Sequence, residues 1–119
     1  MEWYSAKMVF HIETHTQTPQ FDEQIRLIQA LNREHALETA YQTGLLAQEE
    51  FLNNNGNLLR WTFIAVTEIN YIGALENGKE IHYQITEADE ADLYLQRIEE
   101  KALNLKKLVA DYDISSSMS

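Results

Sequence analysis

Four segments of the chain have the two-residue apolar period or the apolar content of a β-strand. These segments are residues 3–13, 24–31, 58–72 and 81–85. In the first segment, one face carries Tyr4, Ala6, Met8, Phe10 and Ile12. In the third, the period places Leu59, Trp61, Phe63, Ala65 and Ile69 on one face and Ile64 and Val66 on the other. A short polar connection at residues 14–20 predicts that the first two strands pair antiparallel. Asn77-Gly78 predicts a type I′ hairpin turn before the fourth strand.

Two helices are predicted, one between the second and third strands and one after the fourth. Asn32 is a favourable N-cap, because its side chain can accept a hydrogen bond from a free amide of the first turn. We expect the helix that follows to extend as far as Phe51, where the Asn- and Gly-rich residues 53–57 predict a turn. Its buried face is predicted to hold Ala36, Leu37, Ala40, Tyr41 and Gly44.

The last third of the chain carries apolar residues at alternating spacings of three and four. They are Ala88, Ala91, Leu95, Ile98, Ala102, Leu105, Val109 and Tyr112. This spacing is that of the a and d positions of a heptad repeat, which is typical of helices that pack against a second helix. Thr86 and Asp89 resemble a capping box and predict the start of a helix that extends to about residue 112. The predicted interface residues are Leu95, Ile98, Leu105, Val109 and Tyr112.

The order strand, strand, helix, strand, strand, helix predicts an α+β domain with a four-stranded antiparallel sheet. Residues 1–114 would form this single domain, and residues 115–119 a disordered tail. The third strand is apolar on both faces, so its second face needs a cover. Together with the heptad spacing, this indicates a homodimer that forms through the C-terminal helix or the sheet face. A helix laid over its own sheet would show the same spacing, and that alternative stays open.

Charge changes the expected partners. The chain has 9 basic and 19 acidic residues, a net charge of −10. Such a charge repels phosphate groups, so we expect no nucleic acid and no membrane among the partners. The first residues lack the pattern of a signal peptide and no apolar run is long enough to span a bilayer, so the expected location is cytoplasmic. The charge is typical of a soluble domain, and its sharper interpretation is an acidic face that binds a basic partner.

Few residues suggest chemistry. The absence of cysteine removes thiolate metal sites and cysteine nucleophiles. His11, Glu13 and His15 would project from one strand face and are residue types that bind zinc or another transition metal. A solvated strand end is the commoner origin of such a pattern. The scattered glycines form neither a nucleophile motif nor a phosphate-binding loop. We therefore expect no enzyme, no catalytic residues, no bound metal and no cofactor.

Three segments share a pattern with a known family. They are the opening Trp-Tyr-Ser-Ala-Lys at residues 3–7, Arg-Glu-His-Ala-Leu-Glu-Thr-Ala at 33–40, and Trp-Thr-Phe-Ile-Ala-Val-Thr-Glu-Ile-Asn-Tyr at 61–71 ahead of the Asn-Gly-Lys-Glu turn at 77–80. Over about residues 3–83 the chain resembles the bacterial domain of unknown function 4288 family. The resemblance implies a small bacterial α/β domain and no particular activity. The chain departs from the family pattern at Ala65, where the family has a glycine that would permit a β-bulge.

We interpret the sequence as that of a non-enzymatic protein–protein interaction module. One concrete form is an inhibitory or immunity-type protein whose acidic face covers a basic, nucleic-acid-acting partner. Two alternatives belong to other classes: a small-molecule or metal-binding domain built around His11, Glu13 and His15, and a purely structural homo-oligomer.

Overall fold

The computed structural model describes residues 1–15 and 18–118, with side chains as far as Tyr112. Residues 16 and 17 of the predicted connection, and Ser119, lie outside the described residues. The chain divides into two compact units, Met1–Tyr83 and Gln84–Ser119.

The first unit is a four-stranded antiparallel sheet with one helix. Its strands are β1 (Glu2–Glu13), β2 (Gln20–Ala30), β3 (Glu49–Leu52) and β4 (Leu58–Gly73), in the spatial order β2-β1-β4-β3. The helix α1 (Arg33–Leu46) lies between β2 and β3 in the chain. The second unit contains the helix α2 (Ala91–Met118). This architecture confirms the predicted α+β class and the order β-β-α-β-β-α.

One face of the sheet packs against α1 and forms the core. The predicted alternation in β1 is confirmed, because its even-numbered residues point into this core. The buried core residues are Tyr4, Ala6, Met8, Phe10, Ile28, Ala30, Ala36, Ala40 and Ile69. On α1 the buried residues are all small, ending at Gly44, which lets the helix backbone approach the sheet. A Cβ atom on Gly44 would overlap the ring of Phe63 on β4.

The predicted N-cap of α1 is confirmed. The Asn32 side chain accepts a hydrogen bond from the backbone N–H of His35 at 2.8 Å. Nδ1 of His35 also accepts from the backbone N–H of Leu31 at 3.0 Å, a bond like the reciprocal one of a capping box but made to the residue before the N-cap. The bond to Asn32 satisfies an amide that a helix start would otherwise leave without a partner.

The predicted extension of this helix to Phe51 is wrong. α1 ends at Leu46, and Glu49–Leu52 form β3, which pairs with the start of β4. The contacts that favour the strand come from residues distant in sequence: the Phe51 ring stacks on Trp61 with centroids 5.3 Å apart, and Arg60 donates to Glu50 at 2.9 Å. Local helical spacing carries no information about either contact.

The predicted fourth strand at residues 81–85 is also wrong, since no ladder pairing forms there. The Asn77-Gly78 turn does form, with the N–H of Lys79 donating to the carbonyl of Glu76 at 3.2 Å. It is not type I′, because Gly78 has a φ of 81° while Asn77 has a negative φ. A positive φ at the second central residue alone is the type II pattern, which does not favour a tight hairpin.

Three register irregularities interrupt the pairing of β1 with β4. Phe10 lies opposite Phe63 and Val9 opposite Ala65, so Ile64 is an extra residue; Thr67 is a second one. Each bulge shifts the face alternation by one residue. As a result Val66 packs against the core, contrary to the predicted alternation, and Ala65 points to the opposite face with Val9. Alanine at position 65 therefore does not prevent a bulge beside it.

The second unit differs from its prediction at the helix start. α2 begins at Ala91, and residues 84–90 are not helical, so Thr86 and Asp89 do not cap it and Ala88 lies before the helix. The helix extends to Met118, which is further than predicted. The predictions of a single domain at residues 1–114 and of a disordered tail at residues 115–119 stay predictions.

Candidate interaction surfaces

The apolar residues of α2 form one stripe with heptad spacing. We call Leu95, Ile98, Leu105, Val109 and Tyr112 the α2 seam; these side chains are between 44% and 73% exposed. Ala91 and Ala102 occupy the intervening positions. Because α2 is a regular helix from Ala91 onward, the three-four spacing places the whole seam on one side. The structure thus confirms the helix that the seam requires, while its role in an interface stays a prediction.

Charged residues flank the α2 seam. Counting Leu95 as position a, Glu99 and Lys106 occupy e positions and Lys101 occupies a g position. All three are exposed. In a pair of helices, these are the positions that meet across the edges of the seam and decide relative orientation.

The sheet face opposite α1, here called the outer face, also carries exposed apolar side chains. They come from β2: Phe21 and Ile25 are each 61% exposed and Leu27 is 50% exposed. In the ladder with β1, Ile25 lies opposite Lys7, and Lys7 approaches the carboxylate of Glu23 at 3.6 Å. The sequence predicted apolar residues on the second face of the third strand, which is β4 in the structure. The bulges of β4 leave mainly small or polar residues on its outer face. The exposed apolar surface lies on β2 instead.

β2 is also an edge strand. It is the first strand in the order β2-β1-β4-β3, and among the described residues no strand pairs with the edge of β2 that lies away from β1. On its α1-facing side, three residues form a hydrogen-bonded row: Arg26 donates to Oε1 of Gln24 at 2.8 and 2.9 Å, and Gln24 donates to Asp22 at 2.7 Å. Asp22 also accepts from the Trp61 indole at 3.1 Å. The sequence predicted a strand here but gave no indication of this row.

The residues of the alternative metal site, His11, Glu13 and His15, do not form a group placed to hold a metal ion. Within residues 1–15 and 18–118, no group of three or more histidine, aspartate or glutamate side chains is placed to hold a metal ion. His11 lies beside Phe21, with ring centroids 5.3 Å apart, and its Nδ1 is 4.0 Å from Glu13. Glu13 instead accepts from Arg60 at 3.3 Å. His15 follows the end of β1 in a bend.

Arg60 bridges three strands near the far edge of the sheet. It contacts Glu13 on β1 and Glu50 on β3 from its own position on β4. The hydrogen bond and charge of Glu50, followed by the charge of Glu13, raise the pKa of Arg60 above its ordinary value. The guanidinium is therefore a permanent positive charge that holds β3 to the sheet. Both carboxylates are thus paired with the same guanidinium.

Two of the shallow grooves on the first unit lie beside β4. One, of about 510 Å³, runs between the first turn of α1 and the bulged middle of β4, and Arg33, Leu37 and Glu68 are among the residues that line it. The other, of about 390 Å³, includes Tyr71 and residues 80–83. The charge of Glu2 is the main cause that raises the pKa of the Tyr71 phenol.

These features define a class of protein: a small α+β domain with one helix on a four-stranded antiparallel sheet, followed in the chain by a long amphipathic helix. The chain belongs to the family described as Domain of unknown function (DUF4288), which matches residues 3–83. The match covers the first unit almost completely, and α2 lies outside it. No curated protein and no solved structure matches the chain. Neither helix in the described part of the chain has the length and apolarity needed to cross a bilayer.

Proposed function

We propose that this chain is a non-enzymatic protein–protein interaction module that self-associates through α2. The observation that carries the proposal is the exposed α2 seam, five large apolar side chains on one side of a regular helix. Full burial of such a side chain stabilises by about 1.5–3 kcal/mol. Because the seam residues are about half exposed, ten of them in a pair contribute on the order of 10 kcal/mol. Association costs of about 4–15 kcal/mol offset this, which favours a reversible homodimer.

The charged flanks favour an antiparallel pair of α2 helices. In a parallel pair, the g position Lys101 would face the e position Lys106 of the second copy, and two lysines repel. Reversing one helix brings e positions together instead. An antiparallel pair centred near Leu103 then places Glu99 of each copy beside Lys106 of the other.

The acidic surface charge indicates that a partner other than a second copy would be basic. Exposed acidic residues cluster just before and at the start of α2: Glu87, Asp89, Glu90 and Asp92. An inhibitory or immunity-type role would use this cluster against a basic partner, since opposite charge mainly raises the association rate. Such a role and a cytoplasmic location stay predictions.

The native mass tests the proposal most directly. We expect light scattering to give a mass of at least twice the 13.9 kDa of one chain. Ile98→Glu places a charge within the α2 seam and should lower the assembly mass at least twofold. Leu103→Glu is the matched control, because it makes a similar change at an exposed position of α2 outside the seam.

Circular dichroism of both variants checks that the helix content is kept. A wild-type mass of one chain would contradict the proposal. So would an equal loss of mass in the two variants, because the effect would then not depend on the α2 seam.

A further inference from the structure

The outer edge of β2 lacks most of the features that usually prevent an edge strand from pairing. The strand has eleven residues, and its sequence contains neither proline nor lysine. Its register with β1 continues without a bulge from Ala30 to Gln20. Short length, proline, lysine, bulges and inward-pointing charges are common devices that protect sheet edges. Of these, β2 has only the last, Asp22 and Arg26 on its α1-facing side. This edge is therefore long, regular and available to another strand.

Two charges on β2 have no partner of opposite sign within the described part of the chain. Asp22 accepts hydrogen bonds from Gln24 and Trp61, which are both neutral. Arg26 donates only to Gln24. Both side chains are half-buried and lie on the same side of the strand, four residues apart. A neighbouring strand that presented the same pair in reverse order would satisfy both charges.

Symmetry restricts how β2 of one copy can pair antiparallel with β2 of another. In an antiparallel pair, directly opposite residues point to the same face of the sheet. In a symmetric pair, the two-fold axis therefore passes between one residue of β2 and the same residue of the second copy. Centring on Glu23 or on Arg26 sets like charges directly opposite each other, which destabilises a pair. Centring on Ile25 places Asp22 opposite Ile28 and Arg26 opposite Gln24, so neither unpaired charge gains a partner of opposite sign.

Centring on Gln24 is the arrangement near the middle of β2 that matches the charges. It sets Asp22 of each copy opposite Arg26 of the other, and Phe21 opposite Leu27 on the outer face. We propose that β2 pairs antiparallel with β2 of a second copy in this register, which joins the two sheets into one of eight strands. The occupant of the edge is thus a second copy of this chain, recognised by backbone hydrogen bonds, two charge pairs and two apolar pairs.

This inference adds a second self-association surface to the proposed function. It uses the first unit, whereas the proposed function uses α2. Variants of β2 and of the α2 seam therefore test the two independently.

A single cysteine tests the register. The natural chain has no cysteine, so Gln24→Cys introduces one thiol per copy. In the proposed pair the Cα atoms of position 24 in the two copies are about 4.5–5.5 Å apart, which is within disulfide reach. Oxidised glutathione should convert most of the full-length protein to a covalent dimer. Gln29→Cys is the matched control, because its two copies would be about 33 Å apart along the paired strands, at about 3.3 Å per residue.

A charge exchange tests the same pairing without a cross-link. Asp22→Arg alone and Arg26→Glu alone each create two like-charge contacts and should prevent pairing with an identical copy. An equimolar mixture restores two opposite-charge contacts, so a one-to-one dimer of the two variants should form. Both measurements are made with and without Ile98→Glu, and the β2 pairing should survive that change.

Three results of the cysteine experiment would overturn the inference: no covalent dimer with Gln24→Cys, an equal yield of covalent dimer with Gln29→Cys, or loss of the Gln24→Cys dimer when Ile98→Glu is added. The failure of the Asp22→Arg and Arg26→Glu variants to pair when mixed would also overturn it. If Asp22→Arg unfolds through loss of the Trp61 bond, the cysteine experiment still decides, since it leaves both charges in place.

Discussion

The contact between α1 and the sheet depends on the missing side chain of Gly44. Its helix position faces the Phe63 ring, which is held on its other sides by Phe10 and Tyr41 at centroid distances of 5.7 and 5.5 Å. These contacts restrict the ring, which is half-buried. Glycine normally costs a helix about 1 kcal/mol relative to alanine, so its presence here reflects packing.

Gly44→Ala should lower the free energy of unfolding by about 1–2 kcal/mol. The helix gains about 1 kcal/mol in propensity, but forcing a methyl group into the ring costs about 1–3 kcal/mol, and the confined ring places the cost in the upper part of that range. Urea unfolding measures the change. Gln42→Ala, at an exposed position of the same helix, should stay within about 0.5 kcal/mol of the natural protein.

Phe63→Leu provides the second control for this contact. In that background the smaller side chain leaves room, and Gly44→Ala should become neutral or stabilising. An equal loss in both backgrounds would show that the Phe63 ring is not the reason for the glycine.

Residue-level predictions succeeded where the cause is local. The role of Asn32 follows from its own side chain and the next three amides. Gly44 was correctly placed on the buried face of α1, because helical spacing sets that face. Its partner Phe63 could not be identified, since it lies far along the chain on a strand whose faces are shifted by a bulge.

At the scale of elements, the turn between β3 and β4 is organised by one side chain. Oδ1 of Asn53 accepts from the backbone N–H groups of Asn55 at 2.9 Å and Asn57 at 3.0 Å. The backbone of Asn53 also bonds to Asn57 and Gly56. Because β3 has only four residues and lies at the sheet edge, this turn supplies much of its local stability.

Asn53→Ala should open the β3 hairpin locally. Losing two hydrogen bonds of about 0.5–1.5 kcal/mol each, about 2 kcal/mol together, raises the population of the open hairpin about thirtyfold. Amide hydrogen exchange should therefore be about thirtyfold faster in β3, with little change in β1. Asn54→Ala is the matched control, because the Asn54 side chain makes no hydrogen bond in the described part of the chain. Equal acceleration in β1 would indicate global destabilisation instead.

Element predictions failed where pairing partners decide the structure. Residues 81–85 alternate like a strand, yet alternation shows only that a segment could present one apolar face. A strand also needs a free sheet edge that meets it. Residues 49–52 have a weaker pattern and nevertheless form β3, because Trp61 and Arg60 on β4 supply stacking and charge. The sheet therefore has the predicted number of strands with one of them at an unexpected place.

At the scale of the whole molecule, sequence reasoning was most reliable for class and least informative for surfaces. Strand and helix periods were sufficient for the α+β class, and heptad spacing correctly indicated α2. The edge of β2 could not be anticipated, since which strand lies at an edge depends on sheet order. The row of Asp22, Gln24 and Arg26 is complementary to the same row in a second copy, and this matters only because one edge of β2 is unpaired.

Net charge predicts how salt affects self-association. Two copies with a net charge of −10 each repel strongly at low ionic strength. At a separation of about 35 Å in water this repulsion is on the order of 10 kcal/mol without screening. Local charge pairs such as Glu99 with Lys106 contribute about 0.2–1 kcal/mol each, which is too little to reverse it.

Raising the ionic strength from about 0.01 M to about 0.15 M shortens the screening length from about 30 Å to about 8 Å and removes most of this repulsion. The self-association constant from sedimentation equilibrium should therefore increase with salt. Ile98→Glu gives the comparison: the association that remains through β2 should be weaker than that of the natural chain, and it should also increase with salt, because the net-charge repulsion acts on both surfaces. An association that weakens with salt would mean that attraction between oppositely charged patches outweighs the net charge. The apolar α2 seam would then not be the main source of affinity.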